Sequence, residues 1–344
     1  MNLLKTWRLW LGCALSGLCL WLAFRQVPLG AVADAIGRAN PLWLLLAVMA
    51  LCGSVITRAW RWLVLLERRH RLGDAFWAQT IGFLFTNVFP LRLGEPARVL
   101  VMAERCQLPV MHVAASAVVE RLLDGGTNVG ILLLVLPWMH LPPLMKNAGL
   151  TFGALVLLGL GGLLLVVRFD RQGERVIRTV WARLPVFPVE QVTRYWRELV
   201  RGLAPLTRLP VAGRAIGWSF GTWACSLAAF WGVLCAFQPD GRILEAAFMM
   251  VAVSFAVAVP SSPGFIGVFQ FVGQQALVIP FGAKYDAAQA LAITLTTHLV
   301  YYVLTTTLGV IGLWRLGESF VNLGRTLTGR GPARQAPSLP RVVP

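Results

Sequence analysis

Long apolar runs follow one another through most of the chain, and this feature constrains the fold more than any other. After a first run from Leu9 to Phe24, further runs occur at 42–57, 75–91, 97–119, 126–145, 150–167, 215–237, 246–259, 264–281 and 287–314. A helix needs about 20 apolar residues to cross the hydrocarbon core of a bilayer. With 57% hydrophobic and 13% charged residues, the chain is also far too apolar for a water-soluble protein.

The runs are continuous and lack the strict alternation of transmembrane β-strands. We therefore predict an all-α polytopic membrane protein. The six cysteines lie almost entirely within apolar stretches, without a CxxC pair or a histidine at metal-ligand spacing. We interpret them as packing residues, and we expect neither a metal nor a cofactor.

The net charge of +16 comes mainly from arginine, since all but three of the 31 basic residues are Arg. Most of these arginines flank apolar runs, a pattern typical of membrane orientation and not of nucleic-acid binding. Residues 58–74, the segment 168–214 and the tail are Arg-rich and should be cytoplasmic. We predict one integral-membrane domain over 1–316 and a disordered basic tail over 317–344. The protein should lie in a bacterial-type cytoplasmic (inner) membrane with both termini inside.

The cytoplasmic loop 168–214 contains an amphipathic pattern. Apolar side chains recur there at helical spacing, namely Val192, Trp196, Leu199 and Leu203. Charged side chains occupy the opposite face, namely Arg194, Arg197, Glu198 and Arg201. The pattern predicts a helix lying against the lipid headgroups, with a solvated connector as the alternative.

Two junctions between apolar runs contain helix breakers. One includes Pro90, Gly94 and Pro96, and the other is Val-Pro-Ser-Ser-Pro-Gly from Val259 to Gly264. Irregular backbone at membrane depth is tolerated only where it is buried in protein or lines an aqueous cavity. We therefore predict two re-entrant or broken-helix hairpins among about six full spans. The first should enter from the cytoplasm and the second from outside, as in transporters with a midplane substrate site.

Charged side chains at the first junction are candidates for substrate binding. Arg92, Glu95 and Arg98 are spaced three apart and would share one face if the helix resumed after Pro96. Two arginines restrained by one carboxylate could receive a phosphate or another anionic headgroup. The alternative is an internal salt-bridge network that locks the hairpin. We also expect Gly94 and Ser262 to line water-accessible space.

A second polar cluster crosses the next apolar region. Ser116, Glu120 and Asp124 follow i, i+4 spacing, and Arg121 lies three residues before Asp124. The two carboxylates could exchange a proton or hold a cationic group, or they could pair with arginines of the first junction. The second junction offers hydroxyls and free backbone without charge, which suits binding better than catalysis. The full set of candidate binding residues is Arg92, Glu95, Arg98, Glu120, Arg121, Asp124, Ser261, Ser262 and Gly264.

Four motifs in register resemble a known family. They are Arg58-Ala-Trp-Arg-Trp62, Asn87…Pro90-Leu-Arg92-Leu-Gly-Glu95…Arg98, Ser116…Glu120-Arg121…Asp124 and Pro260-Ser-Ser-Pro-Gly264…Gly267. Their order and spacing are similar to those of the lysylphosphatidylglycerol synthase transmembrane-region family, also called flippase-like domain proteins, over about residues 5–316. The resemblance implies an inner-membrane helical protein related to the lipid-translocating half of aminoacyl-phosphatidylglycerol synthases. Because thirty residues follow Trp314, too few for the soluble transferase domain, we expect no aminoacylation.

The leading hypothesis is therefore a flippase or scramblase-like protein that is not an enzyme. Its substrate would be a membrane phospholipid, glycolipid or isoprenoid phosphate, and we expect no nucleic-acid partner. No GxxxxGK[ST] motif is present, so movement would follow the lipid's gradient, couple to protons or depend on a partner. Two alternatives stay open: a lipid-headgroup transferase with Glu120 or Asp124 as base, and a noncatalytic partner of lipid or glycolipid synthesis enzymes.

Overall fold

The computed structural model describes residues 3–25, 27–67, 70–89, 92–139, 143–181, 188–258 and 262–327. Within these ranges the chain forms helices and no strands, which confirms the all-α prediction. The α-helices are α1 Leu3–Phe24, α2 Leu29–Gly37, α3 Pro41–Leu65, α4 Leu72–Val88, α5 Gly94–Cys106, α6 Val110–Val135, α7 Pro143–Arg168, α8 Asp170–Trp181, α9 Val189–Leu203, α10 Leu209–Phe237, α11 Ile243–Ala256, α12 Val268–Phe281, α13 Ala287–Leu316 and α14 Phe320–Leu327.

Local sequence signals set several helix ends. The Asn40 side chain accepts a hydrogen bond from the Leu42 N–H, and Pro41 occupies the first turn of α3. Asp286 caps α13 through a 2.8 Å bond from the Gln289 N–H to its Oδ1. Gly317, in a left-handed conformation with φ of 67°, ends the same helix. These caps satisfy backbone groups that a helix leaves unpaired at its ends.

Five helical segments in the described part of the chain are long and apolar enough to cross a membrane. They are α3, residues 149–168 of α7, α10, residues 263–281 around α12, and α13. The pair α1 and α2, bent by 80° at its break, gives a sixth if the two helices together form one span. With 26 residues α6 is longer than α3, although it carries three charges near its centre. The protein is thus a polytopic membrane protein, as predicted.

The prediction of one apolar span over 97–119 is wrong. The helix α5 ends at Cys106, Gln107 adopts a left-handed conformation with φ of 51°, and α6 starts at Val110. The following Pro109 contributes to the break, because proline disfavours helical backbone at the residue before it. The break places Glu120 and Asp124 near the middle of a single long helix.

Two helical hairpins, α4–α5 and α11–α12, approach α13 from its opposite ends. At the C-terminal end of α13, the Arg105 guanidinium of α5 donates to the Leu316 carbonyl. At the other end, Glu245 of α11 accepts from Lys284 at 3.2 Å and from Tyr285 at 2.5 Å, just before α13 begins. The two hairpins therefore enter the bundle from opposite sides.

The breaks of the two hairpins meet beside the middle of α13. The Arg92 guanidinium lies 5.5 Å from the centre of the Phe265 ring. Asn87, at the end of α4, donates to the Thr305 and Thr306 hydroxyls at 3.1 and 2.9 Å. The described residues beside both helix breaks thus contact other helices of the bundle, which suits irregular backbone in a membrane protein.

Close contacts between small residues hold the helices together. Ser54 of α3 and Ser226 of α10 share a hydrogen bond of 2.8 Å. Gly309 of α13 packs so tightly against α4 that a Cβ would lie 2.6 Å from the Thr80 carbonyl oxygen. Such interfaces are typical of membrane helices, since lipid provides no hydrophobic force between them.

The loop 168–214 contains two amphipathic helices, α8 and α9. Glu174 of α8 accepts hydrogen bonds from Arg197 of α9 and from Arg178, and these bonds lower its pKa to about 2. At Gly202, α9 packs against the start of α6, where a Cβ would lie 2.5 Å from the His112 carbonyl oxygen. The predicted helix is present, and its contact with lipid headgroups stays a prediction.

The predicted disordered tail over 317–344 needs correction. Residues Phe320–Leu327 form α14, and the Phe320 ring packs 5.0 Å from Phe85 and 5.4 Å from Phe89. Apolar residues at helical spacing, including the fully buried Leu323, explain this packing. The remainder, 328–344, lies outside the described residues.

Gly267 provides a test of the second hairpin. Its φ is 94°, and a Cβ there would lie 2.1 Å from the Ser16 carbonyl oxygen of α1. Gly267→Ala should lower the free energy of unfolding by about 1–3 kcal/mol from backbone strain alone, and by more from the clash. Thermal melting of the purified protein in detergent measures this loss. The control Gly217→Ala, at a helical site with no atom within 4 Å, should melt at or slightly above the wild-type temperature. If both variants melt at the same temperature, the backbone conformation assigned to Gly267 is contradicted.

Candidate functional site

The polar stripe of α6 faces the interior of the bundle. Ser116, Glu120 and Asp124 are all buried. The Ser116 hydroxyl accepts a hydrogen bond of 3.0 Å from the indole N–H of Trp62. The spacing read from the sequence therefore corresponds to one buried helix face.

The Asp124 carboxylate accepts hydrogen bonds from three arginines and one tryptophan. Its Oδ1 accepts from Arg61 at 2.7 Å and from the indole N–H of Trp223 at 3.0 Å. Its Oδ2 accepts from Arg58 at 3.0 Å and from Arg121 at 3.3 Å. This carboxylate links α3, α6 and α10, because its partners lie on all three helices.

Glu120 forms the second centre of the network. Its Oε1 lies 3.2 Å from a nitrogen of Arg61, and its Oε2 lies 2.5 Å from Arg98. Arg98 also donates to Gln79 at 2.5 Å and to Glu95 at 2.9 Å, and its guanidinium lies 4.8 Å from the Trp62 ring centre. The first hairpin is thus fixed to α3 and α6 through one buried guanidinium.

The assignment of Arg58 and Arg61 to a cytoplasmic loop starting at residue 58 is wrong. Both belong to α3, which extends to Leu65, and Arg61 has no exposed surface. Counting arginines along the chain assigns them to a loop, because an orientation rule does not consider ion-pair partners. The sequence did contain a signal for their buried position. The two arginines are spaced three residues apart within an apolar run, and the stripe of carboxylates on α6 could pair with them.

A cavity of about 460 Å³ adjoins this network. It is lined by the charged residues Arg58, Arg92, Glu95, Arg121 and Asp124 and by the neutral polar residues Thr86, Asn87, Asn128, Ser226, Ser254 and Tyr301. Apolar residues also line it, including Leu122, Val156, Phe230, Met250 and Phe269. The cavity is therefore amphipathic.

Among the described residues, the network and cavity contain more positive than negative charge. Five arginines stand against three carboxylates, namely Arg58, Arg61, Arg92, Arg98 and Arg121 against Glu95, Glu120 and Asp124. Charges at membrane depth are costly unless they are paired or face a cavity. The excess of two positive charges makes this cavity suitable for an anion.

The predicted trio Arg92, Glu95 and Arg98 is divided between two environments. The helix resumes at Gly94 and not after Pro96, so Arg92 lies outside α5 with a left-handed φ of 55°. Arg92 lines the cavity, and its buried Nε has no hydrogen-bond partner in the described part of the protein. Arg98 does not line the cavity and belongs to the buried network, as the alternative interpretation held.

Glu95 and Arg121 line the cavity as a pair, with 2.5 Å between Glu95 Oε1 and a nitrogen of Arg121. Gly94 does not line it, because a Cβ at this position would lie 2.0 Å from the Gly82 carbonyl oxygen. The expectation of water access at Gly94 is therefore wrong. This close approach lets α4 and α5 pack backbone to backbone.

At the second hairpin, Gly264 lines the cavity with a left-handed φ of 63°. The Ser262 hydroxyl donates to the Ile266 carbonyl at 2.8 Å, and its N–H donates to the Ser16 hydroxyl at 3.0 Å. Ser262 thus shapes the hairpin tip and is not among the lining residues. Ser261 lies outside the described residues.

His298 of α13 fixes the same tip. Gln270 Oε1 accepts from the Gly267 N–H at 2.7 Å, so the Gln270 amide nitrogen is the donor to His298 Nδ1, also at 2.7 Å. The His298 Nε2–H then donates to the Gly264 carbonyl at 2.8 Å. Both ring nitrogens are satisfied, and this histidine positions backbone at the edge of the cavity.

Sequence reasoning also missed Asn128. It follows Asp124 by four residues and continues the stripe of Ser116, Glu120 and Asp124 along α6. It borders the cavity, and its buried Oδ1 has no hydrogen-bond partner in the described structure. Across the described ranges, no three His, Cys, Asp or Glu side chains are grouped closely enough to hold a metal ion.

The comparisons place the chain in a family. The lysylphosphatidylglycerol synthase TM region matches residues 9–309. The chain belongs to this family. A UPF0104 membrane protein of Methanothermobacter thermautotrophicus is 24% identical over 287 residues, which cover 78% of this chain and 82% of the relative. No solved structure matches the chain.

The family match confirms the resemblance inferred from the four motifs. The matched range contains the network and both hairpins. The cavity and its arginines are thus part of the lysylphosphatidylglycerol synthase TM region of this protein. The family name indicates a protein related to lipid metabolism, and the geometry must supply the role of each residue.

Arg98 should act on stability. Arg98→Gln removes a guanidinium bound to Glu120, Glu95 and Gln79, and we expect it to lower the free energy of unfolding by about 3 kcal/mol, since one buried charge loses a partner. Thermal melting in detergent measures the loss. The matched control is Arg178→Gln, which breaks an exposed ion pair of α8 and should leave melting unchanged. If Arg98→Gln melts at the wild-type temperature, Arg98 does not have this structural role.

Proposed function

We propose that the protein translocates an anionic lipid across the cytoplasmic membrane, without a chemical step. The headgroup would enter the cavity between the two hairpins while the hydrocarbon chains remain in the bilayer. The observation that carries this proposal is the amphipathic cavity of about 460 Å³, whose lining combines charged residues with an excess of positive charge and apolar residues. A soluble anion would not require the apolar residues.

The position of α7 supports a route for the hydrocarbon chains. Val156 of α7 lines the cavity, whereas Leu155, Leu157 and Leu158 are 61%, 59% and 71% exposed on the same helix. On this side, one helix of the described structure separates the cavity from the surrounding lipid. A lipid could therefore place its headgroup inside and its chains outside.

Arg92 is the residue best placed to contact the headgroup. The other arginines lining the cavity, Arg58 and Arg121, already hold carboxylates within 3.3 Å. Arg92 forms no ion pair within the described ranges and contacts the Phe265 ring at the tip of the opposite hairpin. A phosphate bound to Arg92 would lie beside the tip of the opposite hairpin, and the guanidinium can donate to two of its oxygens at once.

Arg92→Gln should reduce translocation while the fold persists. A hydrogen bond to a charged group contributes about 1.5–3 kcal/mol, so its loss should weaken headgroup binding about 10- to 150-fold. Purified variants are reconstituted in liposomes with headgroup-labelled phosphatidylglycerol, and thermal melting is measured on the same samples.

The matched control for Arg92→Gln is Arg194→Gln. The Arg194 side chain is 61% exposed, forms a 4.0 Å ion pair with Glu198 of α9 and does not line the cavity. This variant should transport and melt like the wild type. Normal transport together with normal melting of Arg92→Gln would place the substrate site away from the first hairpin. A lower melting temperature together with normal transport would make Arg92 a structural residue.

The orientation proposed from the Arg-rich segments places 168–214 in the cytoplasm. The exposed residues Lys146, near the start of α7, and Thr179, in α8 beyond the other end of α7, then lie on opposite sides of the membrane. In intact cells, an impermeant maleimide should label Lys146→Cys more strongly than it labels the parent protein. It should label Thr179→Cys more strongly than the parent only after permeabilisation. The reverse pattern would invert the orientation.

A further inference from the structure

Tyr302 of α13 lies where the tips of the two hairpins meet. Its hydroxyl group donates to the Asn87 carbonyl of the first hairpin at 3.5 Å. Its ring lies beside the backbone of Gly264 in the second hairpin, so that a Cβ on Gly264 would lie 2.7 Å from Tyr302 Cε2. The same Cβ would lie 3.4 Å from the Asn87 carbonyl oxygen. One side chain therefore contacts the backbone of both tips.

The neighbours of Tyr302 on α13 anchor each tip separately. One turn earlier, His298 donates to the Gly264 carbonyl at 2.8 Å, and its ring meets the Tyr302 ring edge-on with 6.0 Å between the centres. One turn later, the Thr305 hydroxyl accepts from the Asn87 side chain at 3.1 Å. Residues spaced three or four apart share one face of a helix. Tyr302 thus lies between the two anchors, where a shift of either tip changes its contacts.

The contact with Tyr302 explains the glycine at position 264. Gly264 has a φ of 63°, a left-handed conformation in which larger residues are uncommon. The next residue, Phe265, adopts a φ of 60° and carries a large side chain, so a left-handed backbone at this tip does not by itself require glycine. A methyl group at position 264 would instead force either the Tyr302 ring or the hairpin tip to move. The tips can therefore meet because position 264 has no side chain.

We infer that Tyr302 is a positioning residue that holds the two hairpin tips in contact through the packing of its ring against Gly264. This inference rests on the proposed function, in which separation of the tips admits a lipid to the cavity, and it names the contact that opposes their separation. Tyr302 is not among the residues that line the cavity, whereas Asn87, Gly264 and Phe265 are. It acts through the position of the tips, and a weaker contact should open the cavity to water.

The reactivity of a thiol in the cavity measures this opening. Ser254 lines the cavity from α11, and Ser254→Cys is a reporter of similar size. The purified protein in lipid nanodiscs is treated with a small polar thiol reagent, and mass spectrometry of the peptide that contains residue 254 gives the rate of modification. Gly264→Ala should raise this rate at least about 5-fold, because a methyl group inserted into a close contact destabilises the arrangement that contains it.

The matched control for Gly264→Ala is Gly317→Ala. Gly317 has a φ of 67°, and a Cβ there would have no atom within 4 Å. This substitution imposes similar backbone strain without a contact to Tyr302, so the rate at Ser254→Cys should stay within about 2-fold of the parent rate. Equal increases in Gly264→Ala and Gly317→Ala would assign the change to backbone strain and overturn the inference.

Removing the ring tests Tyr302 itself. Tyr302→Ala should raise the rate, and the double variant with Gly264→Ala should show the rate of Tyr302→Ala alone, because the added methyl group no longer meets a ring. Tyr302→Phe keeps the ring and loses a hydrogen bond that is already long, so its rate should stay near that of the parent. A double variant in which the two single effects multiply would contradict the assigned contact.

Thermal melting of each variant identifies a loss of fold. If Gly264→Ala does not fold, the comparison of Tyr302→Ala with Tyr302→Phe tests the same contact, since only the first removes the ring. Equal rates of modification in these two variants would then overturn the inference.

Lipid transport in liposomes separates this inference from the proposed function. If the wild-type protein transports labelled phosphatidylglycerol and Gly264→Ala leaves the rate of modification unchanged, the proposed function stands and the role of Tyr302 fails. If the rates of modification follow the expected pattern and the wild-type protein transports no lipid, Tyr302 holds the tips together and the proposed function fails.

Discussion

The buried network of arginines and carboxylates around Glu120 and Asp124 is the interaction on which the rest of the structure depends. Each of these charges would be strongly unfavourable at membrane depth if its partners were removed. The helices that carry them are therefore held in one relative position. Arg61 fixes the end of α3, and Arg98 fixes the first hairpin. Packing of small residues alone would define these positions less sharply, because helix surfaces rich in glycine and serine can slide past one another.

The network also determines where the unpaired charge lies. Arg98 is bound within the first turns of α5, but Arg92 lies before this helix begins and is directed to the cavity. The helix break thus separates two arginines that are close in sequence. One becomes part of the scaffold, and the other faces the space between the hairpins. The left-handed backbone at Arg92 and at Phe265 costs energy that the surrounding contacts must offset, as is common at functional sites.

Much of the fold could be predicted from the sequence, because apolar run length and clustered prolines and glycines have direct physical consequences in lipid. The i, i+4 stripe of α6 was equally legible. The boundary near Gln107 was not, since a left-handed residue leaves no strong signal within an apolar run. The different roles of Arg92 and Arg98 depend on where α5 resumes, and a shift of two residues changes which side chains share a face. The roles of Arg58 and Arg61 required knowing their partners across the bundle.

The distribution of charge connects binding to movement. In the absence of an anion, the excess positive charge of the cavity is unfavourable, and the conformation with the hairpin tips in contact must tolerate it. An anionic headgroup at Arg92 would stabilise this conformation over any in which the tips are apart, because only here do Arg92, Phe265 and Gly264 lie together. A ligand shifts an equilibrium only by its difference in affinity between the two states. Under the proposed function, the tips are the part of the described structure where such a difference would arise, and the arginine–carboxylate network would hold the surrounding helices in place.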